Sequence, residues 1–259
     1  MRIIKLCEER YCTGCSACSN ACTQNAIKML KNIRGELHPF IDCNKCIRCG
    51  LCESICPQMN APYMISPMQC YAASKLNRND MKREASGGIA TLIIRELYKQ
   101  GYIVFATRLD KDMVPKIVKM TSINELDFYK GSLYVQSIVG NIFCNIQKYL
   151  SDGNNVLFIG TPCQVAGLKA FLKKDWPTLI CCDLFCHGTI PTSYFEEEIR
   201  YLTKKPITRV TFRGYDDRED YWFILWNGGK KVYAQSGNVN YYMKSFSDAV
   251  ALRESCYYC

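Results

Sequence analysis

Eighteen of the 259 residues are cysteine, against only two histidines, and ten of the cysteines fall in the first 56 residues. One pattern occurs twice: Cys12-x2-Cys15-x2-Cys18-x3-Cys22, then Cys46-x2-Cys49-x2-Cys52-x3-Cys56 followed by Pro57, offset by 34 residues at all four positions. A constant offset of this kind is an internal repeat. Three thiolates two residues apart can wrap a tight loop around one iron–sulfur cubane. The fourth, carried on a short helical turn, reaches the other cluster. The spacing predicts one [4Fe-4S] cluster on Cys12, Cys15, Cys18 and Cys56, and a second on Cys46, Cys49, Cys52 and Cys22. A zinc ribbon is the competing reading, but zinc sites join two CxxC pairs across a longer loop. Thr23 stands in the first copy where the second has Pro57, which leaves the ligands intact.

The remaining cysteines divide by context. Cys7 and Cys43 lie outside the pattern and are expected to be buried free thiols, with spare ligands as the lesser alternative. Cys163, in Gly160-Thr161-Pro162-Cys163-Gln164, stands where a strand gives way to a helix, and a helix N-terminus lowers a thiol's pKa. Cys186, in Cys186-His187-Gly188, follows the next strand. If those strands are parallel neighbours, both thiols emerge at the C-terminal ends, where ligands of open α/β sheets gather. With Cys256-x2-Cys259 they make a four-thiolate set and a third cluster; for each cysteine alone the alternative is a small buried hydrophobe. Cys181 and Cys182 sit in an apolar strand and are expected in the core, while Cys70 and Cys144 carry no partner signal. Ser86-Gly87-Gly88 precedes a helix, a place where backbone amides can approach a phosphate; a plain helix start is the alternative.

The elements that must position these groups form two blocks. Residues 57–69, PQMNAPYMISPMQ, hold three prolines and no charge, and read as a connector. The chain thus divides into a two-cluster ferredoxin module (1–60), a linker (61–69) and a larger domain (70–259). The larger domain alternates helices and strands. Helices are expected over 89–100, 137–150, 164–173 and 194–202, and strands over 102–106, 156–159 and 179–185. Shorter strands at 210–213, 222–226 and 231–234 suggest a small antiparallel section. The expected fold class is α+β: a ferredoxin-like module followed by an α/β domain with a mixed sheet.

Composition narrows the function. Hydrophobic residues at 48% and charged residues at 22% describe a globular chain. No apolar run approaches the ~20 residues of a membrane span, and no secretory signal opens the sequence. Many thiols without a signal point to a reducing, cytoplasmic setting, where thiols bind metals more often than each other. The net charge of +9 is spread along the chain without an aromatic-interleaved basic block, so a nucleic-acid partner is not expected. Neither GxGxxG nor GxxxxGK[ST] occurs.

The run Val156-Leu157-Phe158-Ile159-Gly160-Thr161-Pro162-Cys163-Gln164-Val165-Ala166-Gly167-Leu168 resembles the beta subunit family of coenzyme F420 hydrogenases and dehydrogenases. Ser86-Gly87-Gly88, Gly131-Ser132, Tyr134 to Ser137, Asp183 to Gly188, Phe212-Arg213 and Cys256-x2-Cys259 agree with it in order over 70–259, and residues 1–60 resemble bacterial two-cluster ferredoxins. The resemblance implies an FAD-containing iron–sulfur oxidoreductase. Its flavin would exchange a hydride with a deazaflavin or similar small carrier, and single electrons would pass through the clusters to a ferredoxin or another subunit. By this likeness Ser86, Gly87, Gly88, Gly131 and Ser132 are candidate flavin or substrate contacts, and Cys163, Cys186, Cys256 and Cys259 are candidate ligands beside the flavin. The family continues past the last CxxC, so the flavin domain is read as truncated at Cys259. A non-catalytic electron-transfer subunit of a larger redox complex is the alternative.

Overall fold

The computed structural model describes residues 4–62, 66–77, 81, 84–215 and 221–259. Of the expected linker, residues 63–65 lie outside the described residues.

Each copy of the repeat is a loop closed by a short helix, α1 (Ala17–Ala21) in the first and α2 (Leu51–Ser54) in the second. Between them an antiparallel hairpin pairs β1 (Ile27–Lys31) with β2 (Leu37–Ile41) in the register Ile27↔Ile41. Left-handed backbone recurs at matching positions. Gly14 and Ser16 have φ of 63° and 64°, and Arg48 and Gly50, each 34 residues on, have 58° and 78°. Each pair flanks the second cysteine of its run, so the coil around that thiol needs the left-handed turn whatever residue supplies it.

The larger part is built on a mixed four-stranded sheet in the order β4-β3-β5-β6. Strands β3 (Ile103–Leu109), β5 (Val156–Gly160) and β6 (Leu179–Asp183) are parallel, and β4 (Pro115–Lys119) runs antiparallel on the edge of β3. Every residue of β5 is buried, as a strand covered on both faces requires. One face, with Phe105, Val156 and Phe158, packs on α4 (Ile142–Ser151) and α5 (Pro162–Leu172). The other, with Val104, Ala106, Leu157 and Ile159, packs on Ile94 of α3 (Ile89–Lys99). A second sheet of β7 (Arg209–Tyr215), β8 (Tyr221–Asn227) and β9 (Lys230–Ser236) is antiparallel and shares a core with α6 (Thr192–Leu202) and α7 (Tyr241–Ser247).

Ala17 of α1 and Ile55 beside α2 belong to the same core cluster as Phe143, Phe158 and Leu168. The cysteine module is therefore packed into one face of the larger sheet's helical layer, despite the proline-rich connector. Asn20 fastens it: its Nδ2 donates to Gly140 O at 2.7 Å, and its Oδ1 accepts from Cys144 N at 3.3 Å.

The element pattern departs from expectation in three places. The helix expected over 137–150 starts only at Ile142. Val135 and Ile138 instead bridge to Ile190 and Lys116, because this segment lies against strands before the helix begins. Strand β4 and helix α7 had no expected counterpart. β4 is a five-residue edge strand beginning at Pro115, and α7 is nucleated by Asn240, whose side chain accepts from Met243 N.

Candidate functional site

The two runs of cysteines line two separate cavities. One is bounded by Cys12, Cys15, Cys18 and Cys56, together with Cys7, and the other by Cys22, Cys46, Cys49 and Cys52. Each cavity thus takes three thiols from one copy and the fourth from the other, the crossed set that the spacing predicts. The cavities are alike in size, about 360 and 370 Å3 including their open mouths. Among the described residues no three His, Cys, Asp or Glu side chains converge on a single-ion site. The thiols are instead spread around a cavity, which suits a cluster several atoms across.

The thiols of the first cavity are held in polarised surroundings. Burial pushes Cys15 up to about 12 and raises Cys18. Cys12 is lowered to about 5 by a hydrogen bond from Cys7, with His38 and the Gly14 N–H adding to it against the cost of burial. Cys56 is lowered to about 6, again first by Cys7 and then, against burial, by the N–H groups of Gln58 and Met59. His38 is raised to about 9: burial opposes its charge, but contacts with Cys12 and Glu36 outweigh it. In the second cavity Ala26 N donates to Cys22 Sγ at 3.3 Å. Backbone N–H groups aimed at sulfur stabilise the charge a cluster carries and set its potential.

The sheet and the C-terminal turn bring three cysteines of the third set, Cys163, Cys186 and Cys256, near one another. Strands β5 and β6 are parallel neighbours, and Cys163 and Cys186 follow their C-terminal ends. Cys163 lies in the first turn of α5, where Thr161 and Gln164 form a capping box and Pro162 starts the helix. Cys256 sits in a 3-10 turn, Glu254–Tyr258. The buried Arg253 joins these segments. Its Nη2 donates to Cys256 Sγ at 3.8 Å, its Nε to Thr189 Oγ1 at 2.8 Å, and its Nη1 to Thr13 O at 2.5 Å. Cys163 and Cys256 both lie within electrostatic reach of Arg253, and Cys163 and Cys256 of Cys186. Cys259 closes the chain, exposed.

One helix connects the third set to the first cavity. A Cβ on Gly167 would lie 2.8 Å from Cys15 Cβ and 3.0 Å from its Sγ. Gly167 stands one turn beyond Cys163 on α5, about 6 Å along the axis. Cys15 and Cys163 are close enough to act on each other electrostatically. The first cavity therefore lies beside the third set.

The expected flavin contacts have another explanation. A Cβ on Gly87 would lie 2.5 Å from Ala73 O, and one on Gly88 would lie 2.8 Å from Lys75 Cε. These glycines let segment 73–75 lie against the start of α3, so they offer no open cradle. Glu84, ion-paired with the buried Lys75 and accepting from Thr91 Oγ1 at 2.8 Å, supplies the negative charge beside that helix start. Gly131, with φ of 84°, is exposed, and Ser132 is half-buried. Of the leftover thiols, Cys181 and Cys182 pack half-buried against the two faces of the core, Cys43 and Cys70 are exposed, and exposed Cys144 donates to Asn20 O at 3.3 Å. Cys43 is thus not the buried thiol expected, because its loop lies at the surface. Arg253 and His38 carried no signal in the sequence, and Gly167 only as part of the run 156–168; each matters through a contact made across the fold.

Comparison with known proteins completes the site. Residues 11–60 match the 4Fe-4S dicluster domain. That match spans all eight cysteines of the two runs, so residues 11–60 resemble a two-cluster iron–sulfur domain. Residues 153–259 match the family described as coenzyme F420 hydrogenase/dehydrogenase, C terminus of the beta subunit, and they include all four cysteines of the third set. An uncharacterized polyferredoxin-like protein of Methanocaldococcus jannaschii is 32% identical over 76 residues, 26% of this chain and 45% of that protein. The chain thus spans less than half the length of that relative. A solved chain of the F420-reducing [NiFe] hydrogenase complex from Methanosarcina barkeri aligns at 18% identity with a TM-score of 0.46, over 71% of this chain and 66% of that one. No helix among the described residues is long and apolar enough to cross a membrane.

Proposed function

We propose that the chain passes single electrons through three iron–sulfur centres in series. Cys46, Cys49, Cys52 and Cys22 hold the outer one, Cys12, Cys15, Cys18 and Cys56 the middle one, and Cys163, Cys186, Cys256 and Cys259 the inner one. The observation that carries this reading is the approach of α5 to Cys15 at Gly167, one turn from Cys163. Clusters whose ligands share a helix turn are close enough to exchange electrons without a carrier between them. At the other end, Cys49 is exposed beside exposed Ile47, which gives a partner redox protein a place to dock against the outer centre. Arg253 keeps the inner thiols and the middle loop in register, and its charge stabilises the reduced, more negative clusters.

The finer reading is an oxidoreductase in which FAD meets a small hydride carrier at the inner end. The family likeness supports it. Bound there, a flavin would supply the exchange between electron pairs and single electrons. The glycines at 86–88 are taken up by the protein's own packing, which favours the second reading, a wiring subunit without its own catalysis. Anaerobic reconstitution followed by iron, sulfide and flavin analysis tests both. About 12 irons per chain is the expected result, and about eight would remove the inner centre. Flavin in stoichiometric amount selects the oxidoreductase, and its absence from a fully iron-loaded chain selects the wiring subunit.

A further inference from the structure

The middle cavity is lined by five cysteines, one more than a cubane uses. Cys7 lies outside the repeat and outside the residues matched to the dicluster domain, yet it shares this cavity with Cys12, Cys15, Cys18 and Cys56. It is placed there by the segment that leads into the repeat. Lys5 N donates to Glu53 Oε1 at 2.8 Å, which lays the chain along α2, and a 3-10 turn at Glu9–Tyr11 then brings it back to Cys12. Cys7 thereby lines the same cavity as Cys12 and Cys56, the first cysteine of one copy and the last of the other, close enough to act on both electrostatically. The second cavity, bounded by Cys22, Cys46, Cys49 and Cys52, has four cysteines around it.

We infer that Cys7 is an exchangeable fifth ligand of the middle cluster, able to replace Cys56 or Cys12 on its iron. The inference rests on the proposed cluster at this cavity. The exchange is balanced as it stands. One iron–sulfur bond to Cys56 would break, one to Cys7 would form, and the Cys7 proton would pass to the departing Cys56 thiolate within the cavity that both line. No electron leaves the cluster and no further reactant enters. Cys12 and Cys56 hold different irons of the cube, so a thiol lying between them can serve either corner.

The test compares Cys56→Ala with Cys56→Ala/Cys7→Ala in the full chain, reconstituted anaerobically with iron and sulfide. Iron content and the low-temperature EPR of the reduced protein are the readouts. The single variant is expected to keep the iron content of the unsubstituted chain, with an altered EPR line shape. The double variant is expected to lose about four irons. A single variant that itself loses about four irons overturns the inference, and so does a double variant that loses none. A second pair, Cys12→Ala with and without Cys7→Ala, gives the same answer should the Cys56 variants fail to fold, with the same outcomes for and against. An unsubstituted chain that takes up no iron would remove the underlying cluster reading and the inference together. An iron-loaded one whose single variants empty the middle site removes the inference alone.

Discussion

The two copies of the cysteine repeat have identical spacing, but the fold treats them differently. The first is pressed against α5: Gly167 leaves room for Cys15, and Ala17 lies in the core with Phe143 and Leu168. The second faces outward, with Cys49 and Ile47 exposed. Even the shared left-handed positions diverge. Gly14 must be glycine, since a Cβ there would meet Gln136 Nε2 at 2.6 Å and Leu37 O at 2.8 Å. Its counterpart 34 residues on is Arg48, half-buried at the second cavity, which adopts the same φ sign with a full side chain. A duplicated cysteine loop thus acquires an inner and an outer end once one copy docks on a larger domain, and the proposed electron path runs along that asymmetry.

Removing one ligand from each copy is the strongest way to break this comparison. Cys15→Ala and Cys49→Ala should each cost about four irons. The first should also lower the melting temperature and perturb the EPR of the inner centre, while the second should leave both unchanged; iron analysis, melting curves and EPR on the two variants read the difference. Next in size are the turn positions. Gly14→Ala combines left-handed strain of about 1–2 kcal/mol with overpacking of about 1–3 kcal/mol, whereas Gly140→Ala, at φ of 59° with nothing within 4 Å of the added Cβ, carries the strain alone. Denaturant titration should therefore place Gly14→Ala well below Gly140→Ala, and equal values would deny that the first copy is crowded at Gly14.

Arg253→Met should cost about 1–3 kcal/mol by leaving Thr13 O and Thr189 Oγ1 without their donor. It should also lower the potential of the inner and middle centres, but not of the outer one, because only the first two lose a nearby positive charge. Redox titration followed by EPR separates the three. An outer centre that shifts as far as the others would mean that Arg253 acts through general destabilisation. Gly167→Ala should cost a similar 1–3 kcal/mol, on the order of other overpacked sites, by forcing α5 off Cys15, and should slow electron exchange between middle and inner centres. The smallest effect is expected from Arg48→Gly, within about 1 kcal/mol of the starting chain. Glycine relieves the left-handed strain while loosening the unfolded chain, and stability measurements on this variant calibrate the others.

Much of this arrangement was legible beforehand. Strand β5 was visible as a short apolar run, α3 and α5 as periodic helices, and the antiparallel trio β7 to β9 as alternating segments between turns. The late start of α4 was not, because residues 135–138 are held by bridges to Ile190 and Lys116 that local periodicity does not contain. Ser86-Gly87-Gly88 reads in sequence as a helix start that could also approach a phosphate, and only the tertiary structure shows residues 73–75 packed against its glycines.

The sequence by itself determined which cysteines gather at each of the two cavities, three from one copy and the fourth from the other. Three cysteines on one short loop have few ways to face a common point, so spacing within the loop settles which thiols meet. The tertiary structure decided everything that joins distant segments: Cys7 standing with the middle ligands, α5 resting on Cys15, and Arg253 tying Thr13 to Cys256 across 240 residues. Those contacts depend on how side chains pack between elements, and side-chain packing leaves no fixed spacing in the chain.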